Sequence, residues 1–529
     1  MLLFAFAAQS QTLDIEKTFD VSKDAQKGFI HLIDNREAAQ QIDVIYRVRA
    51  KRNTAKFITY TFDYNFNLVN QSEEVVDLEK ELPVKYRHKK FKKEYYEVEG
   101  LYVEPNMMGT LVLKRKVTKF AWNWFVNNYT VTTSVEGKLK AKTDDDKKLF
   151  YHNHIEDNND GTAMILAGEK GTPKNGPVNH MMNFHFIKYD INLTKLADVT
   201  VNFETPQALV ATWSFQNDED RQSDYVALFA TTKIPRYVGG GKLWGEDPTD
   251  YTYVRVSYDG KLIDRIPFKS PNSLWRVDEF VKAKDGSVYF YGPSNDEKKE
   301  YYVSQAEVGG DKTKWPRFQL AKVTNGKFDF VTSTSMEDFK SKLKPQPDGK
   351  KGDPYNGRRV QFNVAVLSPT NELILAGQNY GMDRNGKGQI VGRQYEDLLM
   401  FHFDAKGTLV SQYTMNKKKA STAGADTQII EFSSDGKSLY WSFFDAIDTK
   451  TVRELDFTLE KPLAMPKMAK IDLASGTFAK YSEYGSGDNF AHYGGILNYL
   501  KFTNTNQVNY LGENKKGSTL WFCRVNLDK

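Results

Sequence analysis

The sequence predicts an all-β chain folded as a single β-propeller, closed by an N-terminal strand. Three observations predict it: a strand-turn-strand order that recurs along the chain, a composition suited to half-buried strands, and a solitary alternating strand before the first repeat. Among 529 residues, apolar side chains make up 40% and aromatics 13%, with 34 Phe and 29 Tyr. Such usage fits sheets that bury one face better than it fits helical bundles. The length would hold two or three average domains, but repeat folds exceed that size as one unit.

The repeat is plainest in the second half. Val277 to Val281 reads as a strand, Lys284-Asp285-Gly286 as a turn and Ser287 to Gly292 as the returning strand. Phe318 to Val323, Thr324-Asn325-Gly326 and Lys327 to Val331 then form a second hairpin, so the unit has four strands. The order recurs at Phe362 to Leu367, Leu373 to Gly377 and Leu398 to Phe403, and again at Gln428 to Phe432, Ser438 to Phe443 and Met468 to Leu473. Asp-Gly and Asn-Gly pairs supply the positive φ angles that tight hairpins require. Earlier, His152 to Ile155, Ala163 to Gly168 and Met182 to Ile187 fit the same template, followed by a looser unit at Leu209 to Phe215, Tyr225 to Ala230 and Tyr253 to Val256. Gly168, Gly292, Gly377 and Gly512 each close a second strand, which implies a shared close approach of backbone.

These signals place blades at about 28–77, 98–142, 149–203, 208–268, 275–332, 360–412, 427–484 and 495–529, eight in all. The first two have weak turn signals, and seven blades is the alternative if the segments around Lys85 to Lys93 and Trp122 belong to one irregular blade. The last unit lacks a fourth strand. Residues 12–22, with the alternating run Leu13 to Val21, are expected to supply it and so remove an open sheet edge. Residues 340–359 and 233–250, rich in Pro and Gly, read as irregular loops, the usual place for ligands and partners on such a scaffold.

The segment Phe432-Ser433-Ser434-Asp435-Gly436-Lys437-Ser438-Leu439-Tyr440-Trp441 resembles the strand-turn-strand core of TolB-type propeller repeats, and Leu367-Ser368-Pro369-Thr370-Asn371 matches it in part. The resemblance implies the fold and a type of repeat that often serves as a periplasmic binding platform. Residues 1–11, Met1-Leu2-Leu3-Phe4-Ala5-Phe6-Ala7-Ala8-Gln9-Ser10-Gln11, read as the end of a secretory signal peptide that lacks its basic region. This terminus, with the Asn-, Lys- and Tyr-rich sequence after it, resembles exported proteins of Bacteroidota-type bacteria. The expected location is therefore the periplasm or cell surface, peripheral to the outer membrane. No transmembrane segment is expected, because no run reaches eighteen apolar residues.

The net charge of +5 arises from 73 basic and 68 acidic side chains, so no single-sign field marks the chain for nucleic acid. One cysteine, Cys523, excludes an intramolecular disulfide framework and a Cys-rich zinc site. Nucleophile elbows, phosphate loops and dinucleotide fingerprints do not occur, and no cofactor is expected.

Four groups of residues carry candidate chemistry, each beside a plainer reading. His152 and His154 alternate, which on a regular strand puts both on one face, with His180 and His185 in the same unit. Two imidazoles are half of what zinc requires, and ordinary polar strand positions account for them. Asp157-Asn158-Asn159-Asp160-Gly161 packs oxygen ligands as calcium sites do, yet lacks the closing acidic residue of the twelve-residue calcium loop and suits a hairpin turn. Trp122 and Trp124, at spacing two, would form a platform for sugar rings, or core packing. Arg87, His88, Lys89 and Lys90 lie in the densest basic run, a binding strip for an acidic glycan, lipid surface or protein, or a solvated loop.

The expected function is a non-catalytic exported propeller that acts as an interaction platform or subunit of a bacterial envelope assembly, such as secretion, outer-membrane assembly or motility machinery. A protein partner in the envelope follows. The alternative is a glycan-binding protein or polysaccharide-acting enzyme, with carboxylates and aromatics from several blades meeting at one mouth.

Overall fold

The computed structural model describes residues 12–51, 54–77, 95–105, 111–123, 128–157, 160–169, 180–217, 219–231, 236–238, 242–244, 250–272, 274–295, 314–346, 352–387, 389–416, 425–454, 457–485, 489–492, 499–501 and 506–527. The fold is all-β, built from repeated antiparallel meanders of the kind that form propeller blades. Two compact units divide the chain, residues 1–81 with 337–529 and residues 82–336.

Strand β1 (Thr12–Asp20) stands apart in sequence from the first meander, which runs β2 (Phe29–Arg36), β3 (Gln41–Lys51), β4 (Thr54–Asp63) and β5 (Leu68–Asp77) in spatial order. Strands β6 (Tyr95–Pro105), β7 (Leu111–Asn123) and β8 (Asn128–Lys140) form a three-stranded sheet. A seven-stranded sheet follows from β9 (Leu149–Asp157), β10 (Thr162–Glu169), β11 (His180–Tyr189), β12 (Lys195–Gln216), β13 (Gln222–Thr231), β16 (Asp250–Ser257) and β17 (Leu262–Lys269). Its middle strand, β12, is 22 residues long: the first half pairs with β11 and the second with β13, so two meanders share one strand. Between β13 and β16, β14 (Arg236–Val238) and β15 (Lys242–Trp244) make a small ribbon in the segment expected to be irregular.

Strands β18 (Leu274–Trp275) and β19 (Glu279–Lys282) together form the first strand of the next sheet, with β20 (Val288–Asn295), β21 (Arg317–Thr324) and β22 (Lys327–Ser335). Then come β23 (Val360–Leu367), β24 (Leu373–Arg384), β25 (Ile390–Phe403) and β26 (Leu409–Met415). The final sheet holds β27 (Gln428–Phe432), β28 (Ser438–Glu454), β29 (Phe457–Asp472), β30 (Ser482–Glu483), β31 (Asn489–His492), β32 (Tyr499–Lys501), β33 (Gln507–Asn514), β34 (Thr519–Asn526) and β1. The chain enters the segment expected to be an irregular loop, 340–359, through a short helix. The helix Met336–Ser341 buries Phe339 against Tyr355 and Phe401, and Leu343 bridges to Gln412 on the free edge of β26.

The expected closure is present. β1 pairs antiparallel with β34 from Thr12 opposite Asn526 to Asp20 opposite Thr519. Side chains reinforce the ladder: Trp521 Nε1 donates to Glu16 Oε1 at 2.8 Å and Thr519 Oγ1 to Asp20 Oδ1 at 2.8 Å. The inward side of β1 sets Phe19 edge-on to Tyr60 and Phe62, joining a core that includes Ile42, Ile58, Leu520 and Phe522. An edge that would expose unpaired N–H and C=O groups is thereby covered.

Several hairpin turns follow one local recipe. A Ser, Asp or Asn side chain at the turn's first residue accepts N–H bonds from residues two and four further on, while the residue three further on takes positive φ. Asp190 does this for Asn192 and Thr194, with Leu193 at φ 66°. Asp404 does so for Lys406 and Thr408, with Gly407 at φ 79°. The geometry is a type I turn followed by a left-handed residue, which matches the strand twist. Asn325-Gly326 instead has positive φ at both positions, the two-residue form. The weak turn signals near the N-terminus have the same explanation: at Asp63 to Asn67 the left-handed residue is Phe66, not glycine.

The glycines that close second strands face irregularities in the first strand. Tyr151 and Asn153 pair with adjacent residues of β10, leaving His152 as a bulge beside Gly168. Asn363 bulges beside Gly377 in the same way. A Cβ on Gly292 would lie 1.9 Å from the carbonyl oxygen of Arg276, and one on Gly377 2.5 Å from that of Gln361. Absence of a side chain is what these positions require.

Candidate functional site

His152, His154 and Asp157 lie on β9, the edge strand of the seven-stranded sheet, and Asp160 lies in the turn after it. The turn after β9 holds its two aspartates differently. Asp157 is buried, and its Oδ2 accepts from Arg221 Nε at 2.9 Å and from the Gln222 N–H at 3.1 Å. Asp160 turns Oδ1 to the N–H and hydroxyl of Thr162 and Oδ2 to Arg221 Nη2 at 2.9 Å. One guanidinium thus bridges both carboxylates, and the pairing pushes the Arg221 pKa up. The positive charge that balances this oxygen-rich turn comes from β12–β13, not from the turn itself.

The bulge at His152 breaks the alternation that would have placed His152 and His154 together. His152 packs its ring 5.4 Å from that of Phe184, its Nε2 is a buried atom with no hydrogen-bond partner among the described residues, and burial lowers its pKa to about 4. A neutral imidazole results. His154 turns Nδ1 to the Tyr151 hydroxyl at 2.7 Å and Nε2 to Glu156 Oε1 at 3.2 Å. Each histidine therefore has its own neighbours. Among the described residues, no group of three or more His, Cys, Asp or Glu side chains is arranged to hold a metal ion.

A denser array lies two strands away and centres on His185, which sequence reasoning noted without assigning a role. Buried on β11, it sets Nε2 3.1 Å from Glu169 Oε1 and Nδ1 3.0 Å from Asp198 Oδ1, with Thr200 Oγ1 3.2 Å from Nδ1. Glu169 also accepts from Asn183 at 3.0 Å and pairs with Lys147 at 3.2 Å, while Lys195 lies 3.5 Å from Asp198 and 2.6 Å from Asp144. Although burial opposes charge on His185, its two carboxylate partners outweigh that and raise the imidazole pKa. Burial likewise opposes charge on Glu169, but bonds from Asn183, His185 and Lys147 lower its pKa. When protonated, the imidazole can donate to both carboxylates at once. The register explains the convergence: His185 faces Ala167 on β10 and Thr200 on β12, which puts Glu169 and Asp198 on the flanking diagonals. No linear motif reports it, because the three residues belong to three strands.

The other expected site residues are more scattered. Trp122 sits on β7, backbone opposite Tyr129, and Trp124 lies outside the described residues. Arg87, His88, Lys89 and Lys90, Asn158 and Asn159, and the N-terminal apolar run also lie outside them. Cys523 is buried on β34, and burial pushes its thiol pKa far up, which leaves it an unreactive core residue. Among the described residues no helix is long and apolar enough to cross a membrane.

No family model and no curated protein matches the chain. Solved structures similar to it include an apocarotenoid oxygenase of Synechocystis, with TM-score 0.29 and 12% identity over 82% of this chain and 94% of that one. A lignostilbene dioxygenase of Pseudomonas brassicacearum has TM-score 0.30 and 12% identity over 84% and 90%. The WD40 domain of SCAP from fission yeast has TM-score 0.27 and 7% identity over 98% and 99%. Likeness at this level carries no activity to the chain.

Proposed function

We propose that the chain is an exported eight-bladed propeller that serves as a non-catalytic platform for a protein partner in a bacterial envelope assembly. The observation that supports this most is the arm formed by β24 and β25. Their pairing runs from Leu373 opposite Phe403 to Arg384 opposite Ile390. By contrast, β26 pairs only with Leu398 to Phe403, and β23 only with Leu373 to Asn379. Beyond Tyr380 and Tyr395 the hairpin therefore continues as a ribbon of two strands, neither edge of which pairs with another strand among the described residues. Arg393 lies 4.9 Å over the Tyr380 ring and donates to Gln361 at 3.0 Å, and Val391 is 59% exposed. A two-stranded ribbon has little stability alone in water, and its free edges offer backbone groups to another chain. Strands β28 and β29 also form a long hairpin, pairing out to Glu454 opposite Phe457, while β27 stops opposite Phe443 and β31 pairs with β29 at Leu463 and Ala464.

The internal pairing of acid and base groups agrees with this reading. Asp224 is neutralised by Arg255 and Lys282, Asp157 by Arg221, and Glu279 accepts from Tyr291. Replacing Gly381 to Arg393 by an Asn-Gly turn shortens the arm and leaves the four-stranded meander. Affinity purification from native membranes is expected to recover a stable partner with the wild type and to lose it with the shortened chain. Recovery of the wild type alone, or a positive glycan array, would count against the proposal.

A further inference from the structure

We propose that His185 is an alkaline-sensitive latch: its imidazolium ties β10, β11 and β12 to the Thr143–Lys147 turn, and loss of its proton releases that turn. The turn is the crossover between β8 and β9, closed by Thr143 N–H to Lys147 O at 3.0 Å and by the Lys142–Lys148 bridge. Among the described residues, two side-chain links join it to the sheet beyond β9, and each runs to a carboxylate that flanks His185. Lys147 reaches Glu169, and Asp144 reaches Asp198 through Lys195.

An imidazolium has two N–H donors, one for each carboxylate, whereas a neutral imidazole has one. On deprotonation either Glu169 or Asp198 faces a nitrogen lone pair at about hydrogen-bond distance, a repulsive contact in a site where His185 is only 6% exposed at its side chain. That carboxylate must turn toward water or rotate away, and the lysine bridge attached to it goes with it. The charged and titratable groups around the imidazole are Glu169 on β10, Tyr189 on β11, Lys195 and Asp198 on β12, and Asp144, Asp145 and Lys147 on the turn. Tyr189, raised to about 12 by burial and by Asp198 and Asp144, keeps its proton through the range in which His185 loses its own. The acidic turn gains no compensating cation when the imidazolium is lost.

Hydrogen exchange of the full chain, corrected for the intrinsic pH dependence, tests the latch at the amides of Asp146 and Lys147. Their protection is expected to fall roughly threefold or more between pH 7 and pH 9.5 in the wild type. His185→Gln should show the low protection at both pH values. Lys195→Met cuts one bridge and should lower protection at pH 7 while the His185 ring still titrates above its ordinary range by NMR. Protection that is flat with pH in the wild type, or an unchanged fall in His185→Gln, would overturn the proposal. Should His185→Gln not fold, the wild-type exchange profile set against the ring titration decides: the two midpoints must coincide.

Discussion

Arg221 Nε donates to Asp157 Oδ2 at 2.9 Å, and the same guanidinium reaches Asp160, so a turn with the look of a calcium loop is neutralised by a side chain on a neighbouring hairpin. Removing the cation leaves the buried Asp157 carboxylate without its guanidinium donor. Arg221→Ala is therefore expected to lower the urea midpoint at unchanged slope. Millimolar calcium should leave the wild-type melting temperature where it is, since the oxygens are already engaged; a rise of several degrees would show that the ion displaces the arginine.

His152 and His185 give pH limbs of opposite sign. His152 has a folded pKa near 4, below its unfolded value, so the unfolded chain takes up the proton first and stability falls as pH drops from about 6.5 toward 4. His185 is raised above its ordinary value, so its contribution is complete below the unfolded pKa and is lost as pH rises through the folded one. His152→Gln should flatten the acid limb by about 1 to 2 kcal/mol and leave the alkaline limb alone. Urea titrations at pH 4.5, 7 and 9.5 distinguish the two; an acid limb of wild-type depth in the variant would refute the assignment.

Phe66 occupies a left-handed turn position at φ 58°, yet it stacks on Phe522 at 5.1 Å and lies under Arg524. Relief of strain by Phe66→Gly is worth about 1 kcal/mol, and loss of the buried ring about 3 kcal/mol or more. The variant is therefore expected to be destabilised by about 2 kcal/mol in a denaturant titration, whereas a stabilised variant would mean the ring packs loosely.

Gly292→Ala would bring a methyl group against the Arg276 carbonyl, part of the backbone that joins β18 to β19. The expected cost is about 3 kcal/mol, because backbone has to move. Gly286→Ala nearby meets no atom within 4 Å and is strained only by its φ of +83°, so its cost should be about 1 kcal/mol. Equal costs at the two sites would contradict the close-approach account.

These cases show which features are written locally. Turn chemistry and strand alternation depend on residues a few positions apart, so the repeat was legible wherever glycine took the left-handed position, as at Gly436 and Gly407, and faint where Phe66, Asp146 or Leu193 took it. The bulge at His152 depends on pairing with β10, and the Glu169–His185–Asp198 array on the register of three strands. Neither is visible along one dimension. Sharing of β12 between two meanders was hidden for a related reason: Glu204-Thr205-Pro206 looks like a break between strands, yet the chain runs on through it.

The pairing of the first described strand with the last was the exception, a contact across the whole chain that the sequence announced through a missing strand at one end and a spare one at the other. Thermal unfolding of a chain lacking residues 12–20 tests it most directly. Loss of the ladder on β34, with Phe19 removed from the core around Tyr60 and Phe62, is expected to lower the melting temperature by roughly 10 °C or more. An unchanged melting temperature would contradict the closure.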